Sequence, residues 1–293
     1  MAVLDKGVWF PHKETHELSS NDNFSPPEIV EEGRYHLFMS YACPFAHRPF
    51  LVINYLGLED AISISSVAPK RDDAGWLFDD DYPNAFSSAK GLVELHQQAH
   101  PSYSGEVAVP ILWDKKESKI VGNDSSTMAM DFASKWLSLA KTPYELVPAQ
   151  LKEDIISLNE WLHNNVNRKV YHLGFAKDQV SYDAASNMLF TALEELDLKL
   201  KSTPFLLGQT LTLSDLFLLP TLVRFEAIYE VHFKANKKPL RDFKNIYRYM
   251  LNLVADHRIR KTIDIEHMKL HYYFSHRHIN PNGIVPAGPE ISW

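Results

Sequence analysis

Among 293 residues there is a single cysteine, Cys43. One thiol cannot close a disulfide within its own chain. A disulfide-framed secreted domain and a multi-cysteine zinc site are therefore both excluded. Long apolar runs are also missing, and none approaches the roughly 18 residues needed to span a bilayer. There is no internal repeat and no basic excess: 30 Lys and Arg against 37 Asp and Glu leave a formal net charge of -7. No broad nucleic-acid footprint is expected from such a balance. The opening residues Met1 to Gly7 carry neither a basic leader nor a long apolar core, so a soluble cytoplasmic protein is the expectation. The rest is globular material, 45% hydrophobic and 23% charged. Its length predicts roughly two domains.

Residues 1–32 read as an arm, with Trp9, Phe10 and Pro11 as anchors and a polar, turn-rich run at 19–27. Order is expected from Gly33. Residues 33–139 give a β-α-β-α-β-β-α pattern, the mark of a small α/β domain. The strand-type runs are 34–41, 61–67, 107–113 and 120–121. The helical runs are 45–56, closed by Gly57, then 86–99 and 125–139. Residues 140–149 carry two prolines and read as a linker. Helical spacing takes over in 150–270, at 151–166, 182–201, 213–229 and 243–254. Thr212 and Asp215 predict a capping box there, with Leu211 and Leu216 at the staple positions. Residues 271–293 are aromatic and His-rich, then Pro/Gly-rich, and predict an extended tail packed on the body.

The stretch Ser40-Tyr-Ala-Cys-Pro-Phe-Ala-His-Arg48 carries the chemistry. A strand ends and a helix begins with Pro44 in its first turn, where its missing N–H costs nothing. Cys43 then sits at a helix N-terminus, whose free amides and positive dipole end favour a thiolate. His47 and Arg48 follow within about a turn and add positive field. A lone cysteine is more often a small buried hydrophobe, but this position before proline favours a nucleophile. Ala46 stands where a dithiol motif would have its second cysteine, and no resolving thiol exists elsewhere. A mixed disulfide on Cys43 must therefore be resolved by an outside thiol.

Two further features follow in order. Val109-Pro110 precedes an Ile-Leu-Trp run; in a thioredoxin-like fold such a proline is cis and presents the Val109 backbone to a peptide-like thiol. The alternative is an ordinary strand-entry proline. Asn123-Asp-Ser-Ser126 opens a helix, where Asp124, Ser125 and exposed amides can hold the ammonium and carboxylate of a γ-glutamyl group. The alternative is simple N-capping.

With these motifs in place, the chain resembles the glutathionyl-hydroquinone reductases, the Xi class of the glutathione transferase superfamily, from about Arg34 to Gly288. The resemblance is carried by Cys43-Pro-Phe-Ala-His-Arg48, Gly57-Leu-Glu-Asp-Ala-Ile62, Gly75-Trp76 and Tyr103-Ser-Gly-Glu-Val-Ala-Val-Pro-Ile-Leu-Trp-Asp114. It continues through Asn123-Asp-Ser125, Val170-Tyr171 with Gly174-Phe-Ala176, Thr221-Leu-Val-Arg-Phe225 and His232-Phe-Lys234. It closes with His271-Tyr-Tyr-Phe-Ser-His276 and Asn280 to Gly288.

The resemblance implies an α/β thioredoxin-like N-terminal domain and an all-α helical C-terminal domain, as a homodimer. It implies glutathione as co-substrate, no metal, and a glutathionylated hydroquinone as the other small-molecule partner, with no nucleic acid and no membrane. Cys43 would attack the glutathionyl sulfur and a second glutathione would regenerate it. By motif position, Trp76, Val109, Pro110, Asp124 and Ser125 would bind glutathione. Tyr171, Tyr229 and one of Tyr272 or Tyr273 would grip and protonate the quinol oxygens. Three positions depart from the family pattern: Phe45 replaces Trp, Asp124 replaces Glu, and Glu106 replaces a basic residue and would repel a glycyl carboxylate.

His267 and His271 have the i, i+4 spacing of a metal pair, but no pattern completes a site. These histidines are expected to bond the tail to the body. Two other readings compete. One is an omega-like thiol transferase or dehydroascorbate reductase acting on other electrophiles. The other is a non-catalytic glutathione-transferase-like interaction module, against which the retained Cys43, Asp124 and Ser125 speak.

Overall fold

The structure is a computed structural model that describes residues 2–13, 18, 22, 24 and 26–293. Of the turn-rich run 19–27, positions 19–21, 23 and 25 lie outside the described residues. Contacts divide the chain into two units, Met1–Pro143 and Tyr144–Trp293.

In the first unit the elements are β1 (Val3–Asp5), β2 (Val8–Phe10), β3 (Tyr35–Met39), α1 (Pro44–Leu56), β4 (Ile62–Ser66), β5 (Arg71–Asp72), β6 (Gly75–Trp76), α2 (Leu92–Ala99), β7 (Gly105–Glu106), β8 (Ile111–Asp114), β9 (Lys119–Gly122) and α3 (Ser125–Ser134). The central sheet has the order β4-β3-β8-β9, with β3–β4 parallel and the other pairs antiparallel. Every residue of β3 is buried, as befits a strand flanked on both edges and covered on both faces. His36 lies on it, with its ring nitrogens 2.9 and 2.8 Å from the hydroxyls of Ser63 and Ser65.

Helix α1 packs against α3 and is buried along nearly its whole length. Its ends are those the sequence predicts. Cys43 is the extended N-cap, Pro44 opens the helix, and Gly57 closes it at φ +67°. The left-handed conformation costs glycine nothing and other residues about 1–2 kcal/mol.

The structure departs from the sequence reading in four places here. Order does not begin at Gly33: β1 and β2 form an antiparallel hairpin around Lys6 and Gly7, both at positive φ. β1 also pairs with β7, so a partner about a hundred positions away supplies its second edge. Helix α2 starts at Leu92 rather than 86: Gly91 is its extended N-cap, bridged to Leu77 and so close to β6 that a Cβ would stand 2.5 Å from the Trp76 carbonyl oxygen. Run 107–113 is not one strand: the Val109–Pro110 peptide is cis, Pro110 has no N–H for a ladder, and β8 begins after it. Run 125–139 ends as a helix at Ser134, followed by a 3-10 turn, Leu137–Leu139.

The second unit is helical: α4 (Lys152–Leu162), α5 (Lys169–Gly174), α6 (Gln179–Lys199), α7 (Leu213–Leu222), α8 (Glu230–His232), α9 (Lys244–Val254), α10 (His257–Arg260) and α11 (Ile265–Ser275). The capping box forms at α7. The Thr212 amide donates to Asp215 Oδ2 at 2.7 Å, and Leu211 and Leu216 are both buried. The Asp215 carboxyl also accepts from the Leu206 amide and the Tyr249 hydroxyl, while burial pushes its pKa up.

The run read as one helix, 213–229, changes at its end into a π-turn, Phe225–Tyr229. Near the change, the Arg224 amide turns to the Thr221 carbonyl at 3.3 Å. The Pro220 carbonyl is taken instead by the Arg224 guanidinium at 2.6 Å. The tail is shorter than read. His271 to Ser275 belong to α11, whose N-cap Asp264 accepts from the His267 amide. Beyond it, Lys269 Nζ donates to the Ala287 carbonyl and Trp293 Nε1 to Glu226, which holds the following segment to this unit.

Candidate active site

In the first unit the strand-to-helix turn puts the Cys43 sulfur at two backbone groups. The Ala46 amide points at Sγ from 3.5 Å, and Sγ donates to the Val109 carbonyl at 3.7 Å. The thiol is half-buried. Two residues singled out separately in the sequence, Cys43 and Val109, are thus neighbours across the turn and the cis peptide.

Arg48, on the same helix, is 1% exposed. Its guanidinium lies 3.5 Å from Ser125 Oγ and 3.4 Å from Ser126 Oγ at the start of α3. Burial pushes its pKa down to about 10, while the charges of Cys43 and Asp124 act the other way. At neutral pH it is therefore a buried cation at the head of α3 that feels the charge of Cys43. The sequence marked Arg48 only as a source of field. Its bridge to Ser125 joins residues 77 positions apart, which local spacing cannot reveal.

Asp124 is the N-cap of α3, its Oδ1 accepting from the Thr127 amide at 2.7 Å. Trp76 is 4% exposed and lies on β6 opposite Arg71, whose guanidinium carbon is 5.4 Å from the indole centroid. Glu106 lies exposed on β7, opposite Val3.

In the second unit three phenols meet. The Tyr272 hydroxyl hydrogen-bonds that of Tyr171, and lies 3.1 Å from that of Tyr229. Tyr171 comes from α5, Tyr229 from the π-turn and Tyr272 from α11. Tyr229 and Tyr272 are buried, and Tyr171 is partly exposed. Burial pushes the Tyr272 pKa well up; Tyr229 adds to the rise, and the charge of Arg224 opposes it. Tyr273, one residue on, points elsewhere. Its hydroxyl donates to the Ala227 carbonyl at 3.4 Å, and burial raises its pKa to about 12.

Phe233 is the floor of the cluster, stacked on Tyr229 at 5.3 Å and edge-on to Tyr171 at 5.2 Å. Behind it His232 Nε2 lies 3.1 Å from His276 Nδ1. Burial lowers the His232 pKa to about 4, so this ring is neutral at pH 7. Among the described residues no group of three His, Cys, Asp or Glu is placed to hold a metal.

Sequence families and solved structures identify the family. Residues 42–135 match the glutathione S-transferase N-terminal domain, and residues 179–251 match the C-terminal domain. The chain is 40% identical over 262 residues to a glutathionyl-hydroquinone reductase of Sphingobium chlorophenolicum, covering 88% of this chain and 84% of that protein. It superposes on a Xi-class glutathione transferase from Natrialba magadii with a TM-score of 0.94 at 34% identity, covering 100% of this chain and 95% of the other. A glutathione-bound transferase homologue from Escherichia coli K-12 gives 0.91 at 35% identity, covering 99% and 96%. The chain belongs to the Xi class of the glutathione S-transferase family, the class of the glutathionyl-hydroquinone reductases.

Proposed function

We propose that this protein reduces glutathionyl-hydroquinones to hydroquinones at the expense of glutathione, with Cys43 as nucleophile. The Cys43 thiolate attacks the glutathionyl sulfur. The carbon–sulfur bond to the ring breaks, a Cys43–glutathione disulfide forms, and the ring carbon takes a proton. A second glutathione thiolate then attacks the mixed disulfide, frees Cys43 and leaves as glutathione disulfide. The ring gains the two electrons that the two glutathione sulfurs lose.

The observation that carries this reading is the Cys43 sulfur at a helix N-terminus, with the Ala46 amide 3.5 Å away. That amide and the nearby Arg48 cation stabilise the anion that attacks and leaves. The Val109 backbone beside cis-Pro110, with Trp76, Asp124 and Ser125, is read as the glutathione site. Tyr171, Tyr229 and Tyr272 are read as the groups that hold the quinol oxygens, because a phenol, which burial keeps protonated at Tyr272, donates a hydrogen bond to a quinol oxygen. Tyr273 is the weaker candidate, its hydroxyl being committed to Ala227.

Glutathione as co-substrate and a hydroquinone as product are supported by the relatives' names. A homodimer is the assembly the class suggests. No helix among the described residues is long and apolar enough to cross a membrane, and a cytoplasmic site of action accords with a glutathione-dependent reaction.

The test is stoichiometry. Purified protein with a glutathionyl-hydroquinone and glutathione is expected to form one hydroquinone and one glutathione disulfide per substrate consumed. A folded, thiol-reactive protein that releases no hydroquinone would overturn the reading.

A further inference from the structure

We propose that the N-terminal hairpin is a strap that sets the position of Trp76, with Trp9 as the positioning residue. The proposal rests on the reading of Trp76 as a glutathione contact. Trp76 sits on β6, which pairs only two residues deep with β5, Arg71 opposite Trp76 and Asp72 opposite Gly75. An isolated two-stranded ribbon is marginal at best, even at several residues per strand. This one is therefore held in place by what packs on it.

Trp9 packs on it from the hairpin side. Its indole N–H donates to the Asp73 carbonyl, in the β5–β6 turn, at 2.8 Å. Its ring lies on Gly75, at φ +88°, where a Cβ would stand 3.3 Å from Trp9 Cζ2 and 3.5 Å from Cη2. Close approach of the ring is open to glycine there, and so is the positive φ. The other side of the segment is held through Leu77, bridged to Gly91.

The hairpin is itself tied down away from the ribbon. The Gly7 amide donates to the Tyr103 carbonyl at 2.9 Å, and Gln97 Nε2 donates to the Gly7 carbonyl at 2.8 Å. The Lys6 amide donates to Ser104 Oγ at 2.8 Å, and the Val107 amide to the Ala2 carbonyl at 3.2 Å. Gln97 lies on α2, and the other anchors, Tyr103, Ser104 and Val107, lie on the segment that leads into Val109 and Pro110. One strap thus spans from the ribbon carrying Trp76 to the strand preceding Val109, two segments that carry residues of the proposed glutathione site.

The test uses the full chain and three variants, Trp9→Ala, Trp9→Phe and Trp76→Ala. It reads the glutathione KM, kcat at saturating glutathione and the thermal unfolding midpoint. Loosening Trp76 weakens glutathione binding without touching the thiol chemistry. Trp9→Ala is therefore expected to raise the KM about tenfold with kcat within about twofold. Trp9→Phe keeps a ring on Gly75 and loses the bond to Asp73, and falls between. It decides the matter if Trp9→Ala does not fold. Trp76→Ala separates the two readings. If it raises the KM and neither Trp9 variant does, the strap is overturned. If it leaves the KM unchanged, the assignment of Trp76 falls and the proposal with it. A loss confined to kcat in the Trp9 variants also overturns the strap.

Discussion

The hydroxyl of Tyr229, on the π-turn, lies 3.1 Å from the hydroxyl of Tyr272 on α11. Tyr272 also bonds Tyr171, so its oxygen is the middle of a chain of three phenols. Removing the middle hydroxyl breaks both links. Tyr272→Phe is expected to lower kcat by about 10²-fold, the lower range for loss of a positioned proton donor. Tyr273→Phe deletes a hydroxyl bonded to the Ala227 carbonyl and is expected to leave kcat within about twofold. Steady-state rates of the two variants check the pair.

Arg48 lies at the head of α3, with Ser125 Oγ 3.5 Å away, and feels the charge of Cys43. By reciprocity, a cation that the Cys43 charge stabilises also stabilises the Cys43 thiolate. Arg48→Met is expected to move the pH midpoint of Cys43 alkylation upward and to raise the glutathione KM. Arg48→Lys keeps the charge and loses the planar fork, so it should restore the alkylation profile better than the KM. Alkylation rates from pH 5 to 9 read the first effect, and glutathione titration reads the second.

Gly174 is pressed against Phe233: a Cβ there would stand 2.2 Å from Phe233 Cγ. Phe233 in turn packs on Tyr171, Tyr229 and Tyr272. In Gly174→Ala the added methyl must push that ring into the phenols. The expected result is a loss of about 1–3 kcal/mol of stability together with a lower kcat. Urea unfolding and turnover measured on one preparation check both.

Three buried histidines make stability depend on acid. Burial lowers the pKa of His36 to about 3, and of His96 and His232 to about 4. In the unfolded chain each titrates near 6.5. Below that pH the unfolded chain binds protons that the native state refuses. Stability is therefore full above about pH 6.5 and falls as the pH drops toward 4. Urea midpoints taken between pH 8 and 4.5 should be level at the top and decline below 6.5. A flat profile throughout would contradict this.

Features written in a few adjacent residues were legible in the sequence. Cys43-Pro44 marks a helix start, Gly57 its stop, and Thr212 with Asp215 a capping box, and each is found. What the sequence hides depends on distant partners. Val3 and Leu4 become a strand because Gly105 and Glu106 lie beside them. Residues 86–91 lie outside the helix, and Gly91 is extended and bridged to Leu77, a partner 14 positions away. The choice between Tyr272 and Tyr273 needs the rotation of α11, since adjacent helical residues point about 100° apart. The Arg48–Ser125 bridge needs the packing of α1 on α3.

In the proposed reaction Cys43 takes glutathione from the substrate and needs a second glutathione to be freed. Single-turnover release of hydroquinone from a glutathionyl-hydroquinone, without added glutathione, tests it most directly. The expected result is one equivalent released per wild-type chain, a mass increase of one glutathionyl group on Cys43, further turnover once glutathione is added, and no release by Cys43→Ala. Equal release by Cys43→Ala, or release by wild type with no adduct on Cys43, would contradict it.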